Sequence, residues 1–132
     1  MKKNLNLVRI VTQAFYGNRV ETEIELEELD HFILGHQDNS MPLIENVDRT
    51  IINVPSTNNI VIIYNKYQEN RKLKLKEKLL KEENYELKPL AVIPEENIEI
   101  YSRCIVCRMN ENGEIESLQN EDFGKFMKYL AE

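Results

Sequence analysis

Ile98-Glu-Ile-Tyr-Ser-Arg-Cys-Ile-Val-Cys-Arg-Met109, followed by Asn110-Glu-Asn-Gly113 and Glu114-Ile-Glu-Ser-Leu118, is the stretch whose reading decides the fold. It holds the only string in the chain that looks like chemistry, the C-x-x-C of Cys104 and Cys107. The surroundings argue for architecture instead. A redox pair of this spacing sits at a helix N-terminus, where the dipole lowers a thiol pKa. This one lies inside a run that predicts one strand from Ile98 to Met109. Asn110 to Gly113 then reads as a turn, with Asn112-Gly113 as the φ > 0 pair, and Glu114 to Leu118 as the returning strand. On a strand, residues three apart point to opposite faces and lie about 10 Å apart along the chain. That is too far for a disulfide or a shared metal. The pair therefore predicts a sheet buried on both faces, with one thiol in each core.

Working outward, Asn120 is placed to cap a helix whose first turn carries Glu121 and Asp122. Phe123, Phe126, Met127 and Leu130 follow at i, i+3, i+4 and i+7, an apolar stripe for packing on the sheet. Upstream, Pro89 and Pro94 bracket a short edge strand, Leu90 to Ile93. Asp48 to Val54 and Ile60 to Tyr67 flank the turn segment Pro55-Ser-Thr-Asn-Asn59 and read as a hairpin. Its second strand is apolar on both faces and so central. Leu5 to Ala14, the turn Tyr16-Gly-Asn-Arg19 and the alternating Arg19-Val-Glu-Thr-Glu-Ile-Glu-Leu26 form another hairpin. Glu27 to Leu34 has helical spacing and stops at Gly35, and His36 to Asn46 reads as loop. A further helix is expected over about Lys74 to Glu83. The class is α+β: a single antiparallel sheet built from hairpins, with two or three helices packed against it.

A chain of 132 residues, 42% hydrophobic and 30% charged, is expected to form one domain spanning 1–132. The net charge of −6 disfavours nonspecific binding to nucleic acid or anionic membrane. Asn6 and Arg9 break the N-terminal apolar stretch, which is no signal peptide, and no run is long enough to span a bilayer. A cytoplasmic location with reduced thiols is expected.

Neither a catalytic nor a metal site is legible, and no cofactor is implied. A zinc site needs four ligands, and the two histidines, His31 and His36, are far from the cysteines in sequence. His31 beside Asp30 could serve as a base, yet no nucleophile stands at a recognisable spacing, and a surface or capping role is the plainer reading. Glycines scattered at 17, 35, 113 and 124 make no phosphate loop.

Charge is the remaining signal. From Glu21 to Asp30 there are six acids and no base. Glu21, Glu23 and Glu25 fall on one strand face about 6.7 Å apart, with Glu28 just beyond. Such a ladder could imitate phosphates and block an enzyme that acts on nucleic acid; its plainer reading is a solvated face that discourages edge-to-edge pairing. From Lys66 to Lys81 seven bases meet two acids. Lys72, Lys74, Lys76 and Lys78 are the candidate contacts there, for nucleic acid or an acidic protein, against a plain helix face laced with ion pairs.

The strand, the Asn110-Glu-Asn-Gly-Glu114 turn, the short strand ending in Ser117-Leu118 and the helix ending in Lys128-Tyr-Leu130 resemble a family of small uncharacterised proteins of phages, plasmids and conjugative elements. Val54 to Lys66 is compatible with that family's turn and apolar strand. Cys104, Cys107 and the Lys-rich segment depart from its pattern. The resemblance implies an accessory role and carries over no site. The leading expectation is a non-enzymatic binding protein with a protein partner met through the acidic surface. Nucleic-acid binding through residues 66–81 is the alternative, and a small-ligand protein or enzyme with an unrecognised site is the third.

Overall fold

The computed structural model describes residues 7–13, 19–26, 48–81 and 88–131, without the side chains of Leu79 and Leu80. The strands are β1 (Leu7–Gln13), β2 (Arg19–Glu25), β3 (Arg49–Asn53), β4 (Ile60–Asn65), β5 (Ala91–Ile93), β6 (Ile98–Ile100), β7 (Cys104–Met109) and β8 (Ile115–Glu116). Two α-helices stand among the described residues, α1 (Lys66–Leu80) and α2 (Phe123–Phe126). The class is mixed α and β with antiparallel pairing throughout. The expected turn at Tyr16–Asn18, the helix over 27–34 with its stop at Gly35, and both histidines lie outside the described residues.

There are two sheets, not one. The main sheet runs β2-β1-β7-β4-β3, with β8 on β7; β5 and β6 form a separate ribbon. The expected single strand over Ile98–Met109 is broken at Tyr101-Ser102-Arg103. Its first part pairs with β5, and its second becomes the centre of the main sheet. The hairpin of β3 and β4 turns through Pro55–Asn59 as expected, with Ser56 at a φ of 65° and Thr57 Oγ1 donating to the Val54 carbonyl at 2.7 Å. At the turn after β7 only Gly113 takes a positive φ, so Asn112 does not share it. The reason is local: Asn110 Oδ1 accepts from the amides of Asn112 and Glu114, at 2.9 and 3.0 Å. This closes the loop with one left-handed residue.

Both faces of the main sheet are buried. The first face carries Val11, Ile52, Ile60, Ile62, Cys104 and Val106. The β5–β6 ribbon covers it with Ala91, Ile93 and Ile100, and the C-terminal segment adds Leu118, Phe126, Tyr129 and Leu130. The second face carries Val8, Ile10, Ile24, Val61, Ile63, Ile105 and Cys107. Alternation along β7 thus sends one thiol to each core, as the spacing required. The C-terminal stripe packs as expected, but only Phe123–Phe126 is α-helical; 3-10 turns flank it at Asn120–Asp122 and Met127–Tyr129. The cap is Gln119, not Asn120. Asp122, buried, accepts from the Gln119 amide at 2.8 Å and pairs with Arg108 at 3.1 Å.

Cys104 and Cys107 are free and buried. Burial pushes each thiol from 9.0 up to about 12. In the unfolded chain they ionise near 9, so their contribution to stability is complete below that pH and is lost as pH rises through 9 to 12. The native protein is expected to resist a thiol reagent at pH 8 and to titrate two thiols in denaturant. Urea melts should weaken above pH 9 by up to about 1.4 kcal/mol per pH unit per thiol, and less in Cys107→Val; rapid native modification would contradict the burial.

Candidate functional site

The basic segment is one helix from its first lysine. β4 ends at Asn65, two residues before the expected end of the strand, and α1 begins at Lys66, eight before the expected start of the helix. Asn65 makes the switch. Fully buried, its Oδ1 accepts from the Tyr67 amide at 3.2 Å and the Asp48 amide at 3.1 Å, capping the helix and tying it to the start of β3. Lys66 N adds a 2.9 Å bond to the Asp48 carbonyl.

One turn on, Glu69 fixes the direction of the helix. It is only 6% exposed. Its carboxylate accepts from the Tyr101 amide at 3.0 Å and from the Ser102 amide at 2.8 Å. Lys76, two turns further along the same face, donates to the Tyr101 hydroxyl and lies 4.3 Å from the centre of its ring. The Tyr101 hydroxyl in turn donates to Glu99 at 2.7 Å. Bonding to Tyr101 raises the Lys76 pKa, while burial chiefly lowers that of Lys72. Lys72 and Lys76 are half-buried on the inner side.

The opposite side of α1 is different. Tyr67, Arg71, Lys74 and Lys78, with Lys81 in the turn just past the helix end, follow one another at intervals of four, three, four and three residues. At 100° per residue this is one stripe. All five are exposed, and no ion pair joins the four cations to a described residue. Glu77 lies to the side of the stripe and Glu69 behind it, so among the described residues the stripe holds no carboxylate. Of the four candidate lysines, Lys74 and Lys78 belong to this surface; Lys72 and Lys76 do not. Arg71, Tyr67 and Lys81 join it. Reading the strand through Tyr67 hid this stripe from the sequence, and Asn65 before a Lys/Glu-rich run was the signal that could have revealed it.

The acidic ladder fares less well. Glu21, Glu23 and Glu25 share a face of β2 as expected, but β1 sets Arg9 directly opposite Glu23. Arg9 pairs with Glu21, donates to Asn120 Oδ1 at 2.7 Å and lies 4.8 Å from the Phe123 ring centre. A cation therefore stands within the ladder, and Glu25 is half-buried. Glu28 lies outside the described residues.

Among the described residues no cluster of three or more His, Cys, Asp or Glu could hold a metal, and no helix is long and apolar enough to cross a membrane. A cavity of about 540 Å³ opens between Leu7, Val8, Leu26, Arg49, Ile115 and Ser117, with neither thiol nor imidazole in its described lining. No protein-family model, curated protein or solved structure matches the chain.

Glu69→Gln keeps the shape of the side chain but turns an amide NH2 toward backbone donors. The Tyr101 amide, shared between both carboxylate oxygens, then faces a donor where it had an acceptor, and both amides lose a charged partner, at a cost of about 1–3 kcal/mol. Urea denaturation should show that loss. An unchanged midpoint would mean that the carboxylate does not hold α1.

Proposed function

We propose that this is a non-enzymatic binding protein whose contact surface is the outer stripe of α1 and whose partner is a nucleic acid, gripped through its phosphates. One observation carries the reading: Arg71, Lys74, Lys78 and Lys81 form an exposed row with no acid among the described residues within it. At 1.5 Å per residue the row from 71 to 81 spans roughly 15 Å, enough for two or three successive phosphates. Such contacts release counterions and need no base recognition. The net charge of −6 works against approach from a distance, yet it does not cancel the local row. At physiological salt a charge is screened within about 8 Å, so the partner feels the local row and not the sum.

The sequence alone favoured the acidic face and a protein partner. Arg9 within the ladder lowers the weight of that reading, because a phosphate mimic needs carboxylates free of a resident cation. The resemblance to mobile-element proteins is in keeping with an accessory role and says nothing of the partner.

The test is fluorescence anisotropy with a labelled oligonucleotide across a salt series. Four engaged cations predict a log–log slope of about −3 to −4. The triple variant Arg71→Gln/Lys74→Gln/Lys78→Gln should bring the slope near −1 and weaken binding in dilute salt, with its thermal melt unchanged. Absence of binding in dilute salt, or a triple variant with the parental slope, would overturn the proposal.

A further inference from the structure

Resting on the reading of α1 as a phosphate-gripping surface, we infer that the nucleic acid is single-stranded and that Tyr67 is a stacking platform for one of its bases. Tyr67 heads the cationic row. It is 49% exposed, more than any other large apolar side chain described. The other tyrosines whose surroundings are known are engaged: Tyr101 with Lys76 and Glu99, Tyr129 with Glu95, and Tyr64 packed against the first core. Tyr67 has no such contact, and nothing in the packing accounts for an aromatic ring at this position.

The ring is also held on a rigid base. Its amide is fixed by Asn65, its neighbour Lys66 by Asp48, and Glu69 anchors the same turn to Tyr101 and Ser102. A platform fixed in this way loses little freedom when a base lands on it. Arg71 follows one turn later, about 6 Å along the axis. That is close to the spacing of successive phosphates in an extended strand, so a base on Tyr67 leaves the next phosphates over Arg71 and Lys74. Aromatic stacking combined with a cationic track is how sequence-tolerant single-strand binding works. A duplex hides its base faces and would offer Tyr67 only backbone, leaving the ring without a role.

The experiment compares a labelled oligothymidylate with a duplex of equal length, using the full chain at one salt concentration. The single strand should bind at least about ten times more tightly. Tyr67→Ala should lower single-strand affinity by about 5- to 150-fold and leave both the salt slope and the duplex affinity unchanged. Tyr67→Phe should retain the parental affinity, since a stacked ring needs no hydroxyl. Equal or tighter duplex binding overturns the inference, as does a silent Tyr67→Ala or a Tyr67→Phe as weak as the alanine variant. Should the charge triple variant still lose binding while Tyr67→Ala is silent, only this inference falls. Should neither form bind in dilute salt, the phosphate-gripping reading falls with it.

Discussion

The fold turns on a buried carboxylate. Glu69, 6% exposed, must find donors in the interior, because an unpaired charge there is far costlier than an unpaired amide. It takes them from two consecutive backbone amides, those of Tyr101 and Ser102. Successive N–H groups of a β-strand point to opposite edges, so two neighbours cannot serve one carboxylate while the strand continues. The strand therefore breaks between Ile100 and Cys104. One interaction sets both the break in the Ile98–Met109 stretch and the direction in which α1 leaves the sheet.

The break lets one covalent stretch do two jobs. β7 enters the middle of the main sheet, while β6 leaves to pair with β5 over the first face. The C-terminal segment then locks that ribbon in place. Ala91 bridges to Leu130, Ala131 N donates to the Leu90 carbonyl at 2.9 Å, and Gln13 Nε2 donates to the Ala131 carbonyl at 2.9 Å. The buried Asp122 holds Arg108 from the other end of the segment. These ties connect the last residues to β1, to β7 and to the ribbon at Leu90 and Ala91. Removing one partner would leave a buried group unpaired, which costs more than the bond is worth.

The sequence made legible whatever depends on near neighbours. Alternation in β2, the turn after β7, the apolar β4 and the C-terminal stripe were each readable from period and turn chemistry. The assignment of Cys104 and Cys107 to opposite cores followed from spacing alone. What failed was long-range. Nothing near Tyr101 reveals that a glutamate 32 residues earlier takes its amide, so the strand read as continuous. Arg9 is unremarkable until cross-strand register sets it opposite Glu23, and with that the acidic ladder ceases to be a free row. Asn65 was the one local signal passed over. It reads as a polar end to a strand unless its capping role is weighed, and with the helix begun at Lys74 the stripe loses Tyr67 and Arg71.

The anchoring also explains why so much of α1 stays open. Its ties to the body include the Asn65 cap, Glu69 and the Lys76–Tyr101 contact, the last two on one side. Beyond Glu69 no described side chain of the helix is buried, and Leu73 and Leu75 are about 40% exposed. A helix with so little apolar support is usually marginal. Here the favourable placement of Glu69 in the first turn and Lys78 in the last offsets part of that cost. The row of like charges on the outer side works against it, since cations at i and i+4 repel. Glu77, three residues after Lys74 and four before Lys81, offsets part of this repulsion from the side of the row. The repulsion among Arg71, Lys74, Lys78 and Lys81 is relieved when an anion lies along the row. That is the physical sense in which the outer face of α1 is incomplete by itself.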